Sequence, residues 1–247
     1  MTRLLRLGAL AGLAGGIALA LFLRLVGEGP IGDAVRLEAQ RASGGSAHDE
    51  LFSRATQQVG GMIGAALFGV CAGAVLAVVL AAVRHRLAAT DDWRRAVTVA
   101  AVAFVTVGLV PELKYPANPP AVGNPDTIGR RTALYLVMLA WSLVSAWAAW
   151  RLSCWLRERS RPDHVRLPAV AGLYAALVGL GLAVLPGSPD AVDAPATLVW
   201  RFRLAAVGGS LLFWAVTGVA LGWLLLRGRA VPAGAPAEPA PVDPARL

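Results

Sequence analysis

Six runs of mostly uncharged, apolar residues recur along the chain, at 4–26, 59–83, 96–113, 132–150, 167–185 and 204–226. About 20 such residues are what an α-helix needs to cross the hydrocarbon core of a bilayer. In hydrocarbon each main-chain N–H and C=O must find a protein partner, so separated spans of this length have to be helices. The chain is therefore expected to be all-α: a polytopic membrane helix bundle with about six transmembrane helices in a single domain, residues 1–229. The third run is short if it stops at Val110 and long enough if it continues to Leu113. A composition of 57% hydrophobic and 15% charged residues fits a dense soluble domain as well as a membrane protein, and the clustering into runs decides for the membrane. Arg3 and Arg6 before the first run resemble the start of a secretory signal. The apolar stretch to Val26 exceeds a signal core and five more runs follow, so a retained first helix is expected.

The formal net charge of +8 would suit a nucleic-acid binder, but its distribution has a topological explanation. With the N-terminus inside, the inward segments hold 14 Lys and Arg against six Asp and Glu, and the outward segments hold nine of each. The whole excess falls on one side, as the positive-inside rule requires. Both termini are expected inside, with the bilayer and not nucleic acid as the surroundings. Cys71 and Cys154 fall at different depths, and no disulfide is expected. Residues 230–247, rich in Pro and Ala, have little to bury and should form a disordered cytoplasmic tail.

Small residues suggest which spans touch. Gly8, Gly12 and Gly16 recur at four-residue spacing in the first run, and Gly60/Gly64 and Gly69/Gly73 do so in the second, a pattern that lets helix backbones approach closely in lipid. Gly218/Gly222 makes a shorter face of the same kind in the sixth. The first outer loop, 27–58, is the longest connection; the Gly44–Gly45 pair is expected to break it into two interfacial helical pieces.

The second outer loop, 113–131, concentrates unusual chemistry. Pro111, Pro116, Pro119, Pro120 and Pro125 each lack an N–H and restrict the residue before them, so helix cannot continue and carbonyls are left open. The only lysine, Lys114, and the only asparagines, Asn118 and Asn124, lie here. The third outer connection repeats its grammar: PDTIGRR at 125–131 and PATLVWRFR at 195–203 both read proline, one residue, threonine, an aliphatic residue, then two arginines opening a span. Thr127 and Thr197 are candidate helix N-caps, and the likeness hints at a parallel repeat of helical hairpins.

No phosphate-binding glycine loop, HExxH, CxxC or GxSxG elbow occurs, so no enzyme is expected. What remains is the polar outer cluster. In one reading its charges pair with each other and with lipid phosphate, Lys114, Arg130, Arg131, Arg201 and Arg203 holding a cap over the bundle. In another it lines a pathway, with irregular carbonyls and the oxygens of Glu112, Asn118, Asn124 and Asp126 as ion contacts. Glu38, His48, Asp49 and Glu50 in the first outer loop add a donor mix suited to a borderline divalent metal. The basic residues beside such a mouth oppose a cation unless carboxylates neutralise them.

The stretch LKYPANPPAVGNPDTIGRRTALY, together with LVWRFRLA and the preceding loop ending in SRATQQ, resembles the CbtA family of cobalt transporter subunits. The resemblance runs from the first span to the sixth. It implies a bacterial inner or plasma membrane protein that helps import cobalt for cobalamin synthesis, with the cobalt ion as substrate and no cofactor. It also implies a small CbtB partner with one span and a histidine-bearing end. Glu38, His48, Glu50, Glu112, Asn118, Asn124 and Asp126 are then the candidate ion contacts. Two alternatives stay open: a protein that binds or processes an anionic or phosphorylated lipid at the outer leaflet through the Lys114–arginine cluster, and a non-conducting scaffold for the small partner.

Overall fold

A computed structural model describes residues 1–42, 53–87, 91–120, 122–189 and 192–227, and among these all regular structure is helical. Six helices are long and apolar enough to cross a membrane: α1 (Thr2–Arg41), α2 (Arg54–Arg86), α3 (Asp92–Lys114), α4 (Ile128–Glu158), α5 (Asp163–Val184) and α6 (Ala196–Arg227). The third span does run on past Leu113, as its length required. His48, Asp49 and Glu50, the Gly44–Gly45 pair and the tail at 230–247 lie outside the described residues.

The first helix overruns its expected end at residue 26. At 1.5 Å per residue its 40 residues reach about 60 Å, twice the hydrocarbon thickness, so its charged second half stands beyond the bilayer. Pro30 does not stop it. A π-helical turn at Leu23–Gly27 precedes this proline, and one at Phe104–Leu109 precedes Pro111 in α3. Proline removes a main-chain donor and crowds the carbonyl four residues back; one extra residue in the preceding turn is the usual accommodation. Both sites carry the same short pattern, Val26-Gly27-x-x-Pro30 and Val107-Gly108-x-x-Pro111, on the first helix of a hairpin. Two caps begin other helices: Ser53 Oγ accepts from the Thr56 N–H, and Asp91 Oδ1 accepts from the Arg94 N–H at 2.8 Å.

Glycine sets the closest helix contact. A Cβ at Gly12 would stand 1.9 Å from the Gly69 carbonyl oxygen, and one at Gly73 would stand 2.2 Å from that of Gly8. Gly16 faces the Ala65 carbonyl in the same way. The backbones of α1 and α2 therefore touch, which without a hydrophobic driving force in lipid is how helix pairs gain dispersion contact. Gly60 and Gly64, expected to share in this contact, have open space around them. Gly64 directly precedes Ala65 and stands about 100° round the helix from the Ala65–Gly69–Gly73 stripe, as does Gly60, so the pair faces away from α1. The opposite side of α1 meets α6, where a Cβ on Gly15 would stand 2.1 Å from Thr217 Oγ1. In turn α6 meets α3 through Gly218 against Ala100 and Gly222 against Trp93.

A buried cluster of Ala11, Leu76, Leu80, Val99, Phe213 and Leu221 joins these four helices. The α4–α5 hairpin attaches to the far side of α3, through Val110, Met138 and Val178. Trp141 Nε1 ties the hairpin together by donating to the Leu177 carbonyl at 2.8 Å. Large apolar side chains such as Leu67, Val75, Val144 and Trp147 point outward, forming an apolar surface far larger than a soluble monomer shows and suited to lipid.

Gly12→Val and Gly73→Val are each expected to destabilise the detergent-solubilised protein by about 1–3 kcal/mol through overpacking. Gly64→Ala, with room for its methyl, should leave the midpoint unchanged or raise it. Thermal unfolding checks this, and equal losses in all three would contradict the packing.

Candidate functional site

The end of α3, the proline loop that follows it, the end of α5 and the start of α6 converge at one end of the bundle. Pro111 is buried in the last turn of α3, where Glu112 is half-buried. Because the chain leaves the helix immediately afterwards, donors in the loop need side-chain partners. Glu112 Oε2 accepts from the Ala117 N–H at 3.3 Å. Arg203 of α6 clasps the same residues from outside, Nε donating to the Ala117 carbonyl at 3.3 Å and Nη2 to Asn118 Oδ1 at 3.0 Å. On the other flank Lys114 Nζ donates to the Leu182 carbonyl and Tyr115 Oη to the Pro186 carbonyl, both at 2.7 Å. Burial pushes the Tyr115 phenol above its ordinary pKa, so it remains a donor across physiological pH.

Farther along, Asn124 folds the loop into the next helix. Its Oδ1 accepts from the Asp126 N–H at 2.9 Å and its carbonyl accepts from Thr127 Oγ1 at 2.7 Å. Thr127 sits at the N-cap position of α4 without making a side-chain cap bond, because its hydroxyl turns back to Asn124. Thr197 lies inside the first turn of α6. Neither threonine fills the capping role expected of it. Gly123, at φ 108°, supplies a backbone conformation that side chains disfavour.

Between the loop and α4 lies an open groove of about 470 Å³, lined by Tyr115, Asn118 and Pro119–Pro120 on the loop side and by Arg131, Thr132 and Tyr135 of α4. Tyr115 and Tyr135 were not singled out in the sequence; an aromatic flanking a proline-rich loop is the signal that could have found them.

A second polar layer comes from the overlong α1. Glu28 Oε1 accepts from Arg54 Nη2 at 2.7 Å and from Gln58 Nε2 at 2.8 Å. Asp33 accepts from Arg201 at 3.2 Å and pairs with Arg36, and Arg41 reaches Asp193 at 3.2 Å. Arg201 and Arg203, two residues apart in the sequence, thus serve different partners, the α1 extension and the proline loop. Arg130 is exposed.

The candidate ion contacts fall in separate places. Glu112 and Asn118 are neighbours within the clasp, Asn124 and Asp126 are exposed at the start of α4, and Glu38 is exposed on the α1 extension. Among the described residues no group of three or more His, Cys, Asp or Glu side chains stands close enough to hold one ion. The oxygens of Glu112, Asn118 and Asn124 already accept hydrogen bonds, so an ion at the cap would have to compete with main-chain and guanidinium donors.

Residues 1–226 match the model of a family described as probable cobalt transporter subunit (CbtA). No curated protein and no solved structure matches the chain.

Arg203→Gln is expected to destabilise the protein by about 1.5–3 kcal/mol, since two part-buried bonds to a charged group are lost, and to speed amide exchange across 115–124. Arg130→Gln, on an exposed side chain, should do neither. Hydrogen exchange with mass detection distinguishes the two.

Proposed function

The chain belongs to the CbtA family, and from that premise we propose that it is the membrane subunit of a cobalt uptake system supplying cobalamin synthesis. It is a multi-pass membrane protein of the bacterial plasma membrane and a subunit of a transporter. The observation that carries the finer reading is the cap: a half-buried carboxylate, Glu112, bonded to an irregular proline loop that lines an open groove against α4. Non-helical backbone at this depth is tolerated where it lines a cavity or is covered by protein.

In this reading both termini lie inside and the cap faces outward. A hydrated divalent ion meets the cap, and the α1 extension with its Glu28, Asp33 and Glu38 carboxylates offsets the nearby arginines. Glu112, Asn118, Asn124 and Asp126 supply oxygen contacts, with Glu38, His48 and Glu50 as first contacts. For the ion to replace the Ala117 N–H on Glu112, the Arg203 clasp must shift. Cobalt also accepts imidazole nitrogen, and this chain offers three histidines. A one-span CbtB-type partner with a histidine-bearing end completes the ligand set. The chemistry asked of this chain is binding and passage, with no bond made or broken in the substrate.

Accumulation of radioactive cobalt by cells lacking other importers tests the assignment. Glu112→Gln and His48→Ala should each lower uptake about tenfold, the loss of roughly 1.4 kcal/mol of ion binding, with the protein unchanged in amount in the membrane. Unchanged uptake in both variants would remove them from the pathway.

A further inference from the structure

At the end of the bundle opposite the cap, α2 and α4 make few contacts along their lengths yet meet at their tips. The last residues of α2, Arg84–Arg86, form a tight 3₁₀ turn. Arg157 of α4 donates through Nη1 to the Arg86 carbonyl, and the Arg86 guanidinium lies over the Trp150 ring, 5.5 Å from its centroid. Arg86 and Arg157 thus bring two guanidinium-bearing side chains from two helices to one junction, while the neighbouring Arg84 donates through Nε to His85 Nε2 at 3.1 Å.

Two cationic side chains brought to one junction call for a counter-charge. The acids around them are engaged elsewhere: Asp91 with Arg94 at 3.4 Å, Asp92 with Arg95 at 3.1 Å and Asp163 with Arg166 at 2.8 Å. Among the described residues no carboxylate pairs with Arg84, Arg86 or Arg157, and the adjacent Glu158 is exposed and makes no ion pair. Trp150 Nε1 is buried and has no hydrogen-bond partner among the described residues. Elsewhere at this end Arg159 lies over Trp155 and Arg227 over Trp223, at 3.8 and 3.6 Å, each pair made within one helix.

We propose that the α2–α4 junction binds the phosphate of an anionic phospholipid in the adjacent leaflet. Guanidinium forks match phosphate oxygens bidentately, Trp150 holds the Arg86 guanidinium in place through its ring face, and basic pockets between transmembrane helices are suited to such head groups. Exposed apolar side chains within about two turns of the junction, Val78 and Val79 on α2 and Leu143 and Trp147 on α4, give the acyl chains a surface. A free phosphate offers the same oxyanion without using that surface.

The test uses the full chain purified in detergent and titrated with phosphatidylglycerol, with phosphatidylcholine or with inorganic phosphate, and reads lipid retained in native mass spectra and the unfolding midpoint. Phosphatidylglycerol should be retained and raise the midpoint, while phosphatidylcholine and inorganic phosphate should do little. The Arg86→Gln/Arg157→Gln double variant should bind phosphatidylglycerol about tenfold or more weakly, each surface arginine contributing appreciably to anionic-lipid attraction. Arg227→Gln should bind as the unaltered chain does. Should the double variant fail to fold, the single Arg86→Gln variant, which leaves the main-chain carbonyl that Arg157 meets in place, is expected to weaken binding about fivefold. Equal retention of the two lipids, equal stabilisation by inorganic phosphate, or undiminished binding by the arginine variants would overturn the proposal.

Discussion

Every other helix is placed by the contact of α1 with α2. Gly8, Gly12 and Gly16 on one side and Ala65, Gly69 and Gly73 on the other bring two backbones within reach of each other's carbonyls, so the pair behaves as one thick element. Packing, not hydrophobicity, must hold helices together where the solvent is itself apolar. The same first helix offers Gly15 to α6, and α6 offers Gly218 and Gly222 to α3. Small residues thus hand the packing from helix to helix, leaving the larger side chains to fill the Phe213-centred core or to face lipid.

At the cap the principle changes from shape to hydrogen bonding. Besides the buried Pro111, Pro119 and Val122, the order of the cap rests on charged donors reaching main-chain carbonyls: Arg203 to Ala117, Lys114 to Leu182. These bonds cross from α6 to the loop and from α3 to α5, so the cap couples the central four helices to the peripheral hairpin. The second layer, in which the α1 extension meets α2 and α6 through Glu28 and Asp33, rests on the helix continuing past Pro30.

Much of this is legible in the sequence, and what is not has specific causes. Six spans follow from hydropathy because the bilayer fixes their length. The proline loop follows from five residues that cannot continue a helix. The α1 extension was hidden because Gly27, Gly29 and Pro30 signal a stop, whereas a π-turn lets the helix through; the shared Val-Gly-x-x-Pro pattern in α1 and α3 marks the device in hindsight. Glycine spacing identifies the α1–α2 contact but not its face, since Gly60 and Gly64 have the same spacing as Gly69 and Gly73 yet lie about 100° round the helix from the Ala65–Gly69–Gly73 stripe. Oxygen-bearing side chains were visible as candidates, yet composition cannot tell a ligand from a cap: Asn124 and Asn118 both accept hydrogen bonds within the protein, and Glu112 serves the Ala117 N–H.

The functional account joins these layers. A family whose described role is cobalt transport matches the chain from the first helix through the sixth, and the proposed mouth is where helix gives way to a clasped loop. A clasp made of arginine on carbonyl and amide oxygens suits a gate, since an arriving cation and a guanidinium compete for the same acceptors. The most direct measurement is cobalt flux into liposomes holding a cobalt-quenched dye, with the purified chain reconstituted alone and together with a one-span partner. Quenching faster than in protein-free liposomes, and faster than magnesium can suppress by competition, is the predicted result. A rate equal to that of protein-free liposomes, with both proteins confirmed in the membrane, would contradict the account.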